Sequence, residues 1–210
     1  MPSNRRIVRL TEELSLKPFD CGNSDLNDFL LNDAKAYASH LLAVTYLLED
    51  DNELLAFFSV SNDRISINES DKATWRKIKK EFPHSKHRSD YPAVKIGRLG
   101  VNVKHQNEHL GRLIINFVKD TFITNNRTGC AFVTVDALKE AIPFYQKNGF
   151  KFLRPSEAEN TEKDTVSMYY DLTQLLWSST SSTNFLCGKR GRRIIHNPLA
   201  ELKKWEKIAK

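Results

Sequence analysis

The chain has 210 residues, is 40% apolar and 28% charged, and carries a formal net charge of +6. That is enough apolar material for one globular domain with a real core. No run of about 18 apolar residues is present, and no apolar stretch follows Arg5-Arg6, so neither a membrane span nor a secretory signal is expected. Three scattered cysteines, Cys21, Cys130 and Cys187, fit neither a disulfide framework nor a zinc site, and a reducing, cytoplasmic setting is the expectation. The charge excess is local. Residues 174–210 hold eight Lys and Arg against two Glu, which accounts for all of it, and residues 1–173 balance to zero. A second basic stretch lies inside the neutral part, where Lys72, Arg76, Lys77, Lys79, Lys80, Lys86 and Arg88 stand against Glu81.

In chain order, Arg6 to Leu10 reads as a short strand. Asn23-Ser24-Asp25 offers helix caps before Leu26, Phe29 and Leu30, which share a helical spacing, and a second short helix is expected from Ala34 to Leu41. Ala43 to Glu49 and Leu54 to Val60, separated by Asp50-Asp51-Asn52, read as a hairpin. Residues 62–91 read as an insertion. In it Ser70 or Asp71 caps a helix with Trp75, Ile78 and Phe82 on one face, Pro83 ends that helix, and a polar loop runs from His84 to Asp90. His84 and His87 lack the further ligands a metal site needs.

Val94 to Val103 is a strand whose glycines, Gly97 and Gly100, signal a bulge or the close approach of another backbone or a ligand. A turn follows at Gln106-Asn107-Glu108-His109. Leu110, Leu113, Ile114, Phe117 and Val118 then mark an amphipathic helix. By itself the turn is an ordinary strand-to-helix connection, but it also presents backbone N–H groups as phosphate-binding turns do. Cys130 to Val135 reads as a buried strand, Leu138 to Lys147 as a helix stopped by Gly149, and Phe150 to Leu153 and Val166 to Leu172 as closing strands. Beyond Leu172, Ser178 to Thr183 reads as a linker, Lys189 to Arg193 as a charge cluster, and Asn197-Pro198 as the cap of a basic terminal helix. This gives residues 1–172 as the domain, with 62–91 as a basic helical insertion and 173–210 as a linker and tail.

These segments together resemble the GNAT N-acetyltransferase family. Its pyrophosphate loop follows Gln/Arg-x-x-Gly-x-Gly/Ala, here Gln106-Asn107-Glu108-His109-Leu110-Gly111. Its later helix often ends in a phrase matched by Phe144, Tyr145, Gly149 and Phe150. The resemblance covers roughly residues 7–172 and implies an α+β fold, a mixed, mostly antiparallel sheet of six to seven strands flanked by helices. Phe19 to Leu30, Gly97 to Val101 and Val133 to Ala137 resemble, more narrowly, the toxins of the family that acetylate the amine of aminoacyl-tRNA.

The resemblance implies acetyl-CoA as acetyl donor, with no metal. Its pyrophosphate would lie on Gln106, Asn107, Glu108, His109, Leu110 and Gly111, with Arg112 adding charge. Its pantetheine arm would pair with Leu99, Gly100 and Val101, and the Val101 N–H would face the thioester oxygen. Tyr145 would protonate the departing thiolate, a phenol of pKa about 10 against a thiol of about 8.5. Arg98 and Asp136 are substrate-side candidates; Asp136 reads equally as a cap for the helix expected at Leu138. No general base stands out, so the acceptor amine itself would be of low pKa or served by water. His109 occupies a position where the motif has glycine, so it either contacts phosphate or weakens the loop. The implied partners are an amine acceptor such as aminoacyl-tRNA, a small DNA-binding antitoxin and a second copy of the chain. A small-molecule or protein acetyltransferase, and a GNAT-fold binding module that docks through its basic segments, are the alternatives.

Overall fold

The computed structural model describes residues 5–66, 70–80, 88–124, 126, 128–158 and 163–178. The tail features expected at 179–210, with Cys187, Phe82, Pro83, His84 and His87, lie outside the described residues.

The chain opens with β1 (Arg6–Arg9) and then a helical stretch, α1 (Ser24–Asp28), a single π turn (Phe29–Asp33) and α2 (Ala34–Ser39). Asn23 caps α1 by accepting the Leu26 N–H. The π turn puts one extra residue between Phe29 and Ala34, which brings Phe29, Leu30 and Ala34 onto one buried face. The expected pair of helices is thus a single bulged one. The hairpin follows as β2 (Val44–Glu49) and β3 (Leu54–Ser66), then α3 (Lys72–Lys80), capped by Asp71 through the N–H groups of Ala73 and Thr74. β4 (Asp90–Val101) begins four residues before the expected Val94. Both ends of the supposed insertion therefore belong to the sheet, paired from Ser66↔Asp90 inward.

A 3₁₀ turn (Val103–His105) leads to α4 (Leu110–Thr124), then β5 (Phe132–Leu138). The helix expected from Leu138 is shorter. Leu138 still pairs with Thr165, a 3₁₀ turn covers Lys139–Ala141, and α5 (Ile142–Lys147) starts where Pro143, lacking an N–H, is tolerated. Gly149 (φ +84°) ends it. β6 (Lys151–Phe152), β7 (Thr165–Asp171) and α6 (Thr173–Ser178) complete the described chain.

The described strands form one sheet in the order β1-β2-β3-β4-β5-β7-β6, antiparallel except for β4 and β5. Alternation along each strand sorts the side chains onto two faces. Leu48, Phe58, Val94, Ile96, Val133, Val135 and Met168 pack under α4 and α5. On the opposite face, Leu47 and Phe57 pack under α1 and α2, while Ile65, Tyr91, Phe132 and Tyr169 pack under Trp75 and Ile78 of α3.

Candidate active site

β4 and β5 pair only over four residues, from Ala93↔Phe132 to Ile96↔Val135. The β3–β4 register slips at the next position, Val60 facing Ile96 but Ser59 facing Arg98, so Gly97 is a bulge. A bulge bends its strand and sharpens its twist. From Gly97 onward β4 follows β3 and leaves β5, and a gap opens between two parallel strands. The Asn102 N–H donates to Leu55 O on β3, and N–H directions alternate along a strand. The N–H groups of Leu99 and Val101 therefore face the gap, and Gly100 faces β3. The bulge signalled by the glycines is present, and Leu99, Gly100 and Val101 form the open edge. Gly100 has a second constraint: a Cβ there would lie 2.7 Å from Cε1 of Phe57.

The gap leads to the turn before α4. Asn102, almost fully buried, ties this turn down, donating to Leu54 O (3.1 Å) and accepting from the Lys104 N–H (3.1 Å). Gln106 donates to Cys21 O at 3.1 Å and reaches Val101 O at 3.5 Å, so its side chain anchors the turn instead of facing a ligand. The Glu108 N–H is spent on His105 O. The amides that helix geometry leaves unpaired are those of Leu110, Gly111 and Arg112, the first three residues of α4. His109 precedes them with φ +57°, the left-handed conformation that glycine normally supplies. Arg112 is exposed and has no ion pair among the described residues.

One acid sits in this turn and is neutralised from outside. Glu108 takes hydrogen bonds from Arg5 and from His105 Nδ1 (2.6 Å), and His105 Nε2 lies 3.1 Å from Glu53. The hydrogen bond to Glu108 raises the His105 pKa, and the same bond, with Arg5, lowers that of Glu108. With its own carboxylate paired, the turn presents helix N–H groups and Arg112 to an anion. A cavity of about 560 Å³ lies alongside, lined by His109, Arg112, Leu113, Asn116, Lys119 and Tyr170 among others.

Tyr145 is buried on α5, 7% exposed, in the apolar cluster that Leu99 and Val101 border. Its ring packs edge-on against Phe144 and Phe150. Burial alone pushes its pKa up to about 12. Full proton transfer from such a phenol to a thiolate of acid pKa about 8.5 is uphill by roughly 5 kcal/mol, so the environment of Tyr145 suits hydrogen-bond donation better than release of the proton.

Arg98 and Asp136 face the opposite side of the sheet. The Arg98 guanidinium lies 3.8 Å from the centre of the Phe29 ring and 5.6 Å from that of Tyr37. Asp136 pairs with Lys95 and accepts from Ser167 Oγ at 3.1 Å. Neither Leu138 nor Ala141, which precede the 3₁₀ turn and α5, involves a side-chain cap, so the capping alternative for Asp136 falls. Sequence reading missed the Phe29–Tyr37 platform, Asn102 and Lys119. Only Lys119 left a signal, a cation four residues after Ile115 on the buried side of α4.

Residues 85–172 match the family model described as an acetyltransferase (GNAT) domain. Over that stretch the chain is similar to a GNAT acetyltransferase. Three solved structures share the fold. A bacterial toxin is 18% identical with TM-score 0.68, covering 90% of this chain and 99% of its own. A tyrosine-to-phenylalanine mutant of KacT is 20% identical with TM-score 0.67, covering 83% and 98%. AtaT complexed with acetyl-methionyl-tRNAfMet is 19% identical with TM-score 0.63, covering 83% and 99%. No curated protein matches the chain in sequence. The turn at 106–112 falls inside the matched stretch, with His109 in the left-handed position where the family motif has glycine.

Proposed function

We propose that this protein transfers the acetyl group of acetyl-CoA to the α-amine of an aminoacyl-tRNA, as the toxin of a toxin–antitoxin pair. The observation that carries the transferase reading is the β4–β5 gap, which runs from the open edge at Leu99–Val101 to the free amides of α4, with Tyr145 beside it.

These residues fit an acyl-CoA. Acetyl-CoA supplies the activated acetyl thioester and a polyanionic tail. The α4 N-terminus and Arg112 would hold the pyrophosphate, and the edge of β4 would pair with the amide-rich arm. The Val101 N–H, directed into the gap, would stabilise charge on the thioester oxygen, and the Tyr145 hydroxyl would stabilise the departing sulfur. α4 and α5 cover one face of the sheet, and the acceptor would approach from the other, where Arg98, Lys95 and Asp136 lie on the side packed by α1, α2 and α3. Paired to Lys95, Asp136 would make a weak base there. An α-amine of pKa about 8 is partly neutral at pH 7, whereas lysine at about 10.4 is not.

Two observations support the RNA-borne acceptor. One is the AtaT structure with acetyl-methionyl-tRNAfMet. The other is α3, which exposes Lys72, Arg76, Lys77 and Lys80 and contains no acid. The antitoxin reading draws on the KacTA–DNA complex and on AtaT bound to the C-terminus of the antitoxin AtaR. The same reading takes the protein as cytoplasmic and as a homodimer. The test is an acceptor screen: purified protein with acetyl-CoA converts charged tRNA to its N-acetyl form, read by mass spectrometry of the released aminoacyl-adenosine. Acetylation of polyamines or peptides alone would leave the transferase and remove the toxin. His109 favours one competing reading, a binding module with a degraded loop. In that case calorimetry finds no acetyl-CoA binding at high micromolar concentration.

A further inference from the structure

α5 is only six residues long, Ile142–Lys147, yet it carries Tyr145. A helix of that length does not hold itself. Two contacts from α4 fix its ends. At the first, Phe144 lies against Gly111, where a Cβ would come within 3.0 Å of its ring. At the second, Lys119 Nζ donates to the carbonyl oxygen of Asn148, the C-cap of α5, at 2.7 Å. The Asn148 N–H bonds back to Tyr145 O (3.0 Å), as does the Phe150 N–H (3.0 Å). Lys119 is buried, 7% exposed, and spends its hydrogen bond on the Asn148 carbonyl. Its ammonium stacks 3.5 Å from the Tyr170 ring centre and 5.6 Å from that of Phe150. A buried cation held by a carbonyl and a ring is costly to a fold and is not explained by packing alone. Burial also lowers its pKa to about 8.

We propose that Lys119 is a positioning residue that couples the cofactor helix α4 to the Tyr145 helix α5, by clamping the Asn148 carbonyl and so setting where the Tyr145 hydroxyl points. The clamp and Gly111 lie two turns apart on α4, so α5 is held at both ends by the helix that would bind pyrophosphate. This rests on the Tyr145 assignment above.

The test is a double-mutant cycle of Lys119→Met and Tyr145→Phe on acetyl transfer to charged tRNA, with hydrogen exchange of the 142–152 segment as a second readout. Lys119→Met is expected to lower kcat about tenfold with KM for acetyl-CoA changed by less than about twofold. In the Tyr145→Phe background it adds less than about twofold, because its effect acts through the phenol. Exchange at 142–152 speeds up while that of α4 does not. A wild-type kcat, a full additional loss in the Tyr145→Phe background, or unchanged exchange overturns the proposal. If Lys119→Met does not fold, Lys119→Gln, one bond shorter and short of the Asn148 carbonyl, is read the same way. If Tyr145→Phe itself retains wild-type activity, the Tyr145 assignment fails, and the exchange measurement alone decides whether Lys119 positions α5.

Discussion

His109 offers the most direct test of how the turn before α4 is built. Its φ of +57° is left-handed, and its side chain is exposed. A residue with a Cβ pays about 1–2 kcal/mol there, and histidine belongs nearer the low end. Glycine removes that strain but returns about 0.5–1 kcal/mol through the greater freedom of the unfolded chain. His109→Gly should therefore stabilise the protein by roughly 0.5 kcal/mol, and by no more than about 1. His109→Ala keeps the Cβ in the same conformation and gains nothing, so the Gly–Ala difference isolates the backbone term. Urea unfolding of the three proteins measures it, and in thermal unfolding the expected shift in Tm for Gly over Ala is about 1–2 °C. Equal stability of Gly and Ala would refute the strain argument. Acetyl-CoA calorimetry on the same proteins separates the two roles. Unchanged or tighter binding by His109→Gly makes the histidine a steric compromise, whereas a loss of about tenfold or more makes its imidazole a phosphate ligand.

Three further outcomes are expected. Tyr145→Phe lowers kcat by about 10²-fold or more at nearly constant Tm, since burial alone shifts the phenol; a rate within a few-fold of wild type excludes Tyr145 from the chemistry. Gly100→Ala drives a Cβ into Phe57, which is fully buried, and costs about 1–3 kcal/mol by denaturant unfolding; wild-type stability would mean the β3–β4 contact gives easily. Lys119 titrates near 8 folded and near 10.5 unfolded, so between those values the unfolded chain holds the extra proton and stability rises with pH. The full shift is worth about 3 kcal/mol, trimmed to roughly 1–2 because Lys119 lines an open cavity, so wild type gains that much on Lys119→Met between pH 7 and 10; a pH-independent gap between them contradicts the shift.

Order and type of the elements were legible because apolar periodicity and punctuation agree: the hairpin at 44–60, the stripe of α4 and the Gly149 stop all stand where expected. The misses share a cause. Asp90 and Pro92 do not look like strand residues, yet β3 carries a partner for them out to Ser66. Phe29 and Ala34 break a 3.6-residue period because the helix holds a π turn, which periodicity takes for a chain break. Lys119 reads as surface because it is charged, and only the carbonyl and ring that α5 and β7 bring to it show why it is inside. In each case the deciding partner is distant in sequence.

The same division explains why the donor side was easier to read than the acceptor side. The proposed donor side rests on backbone: the bulge at Gly97, the N–H groups of Leu99 and Val101, and the amides of Leu110 to Arg112. Backbone devices require a glycine, a turn and a helix start, which leave short ordered motifs in a sequence. The proposed acceptor side is made of side chains from separate elements, with Arg98 on the Phe29–Tyr37 platform, Lys95 against Asp136, and the cations of α3. None of these has a spacing rule, because each is defined by a neighbour across the sheet. Substitutions on that face should therefore change which amine is acetylated while acetyl-CoA binding stays constant, and those at 97–112 should do the reverse. A panel that scores both quantities for Arg98→Met, Lys95→Met and Gly97→Val tests this directly, since a variant of the acceptor face that abolishes acetyl-CoA binding would show that the two sides are not separable.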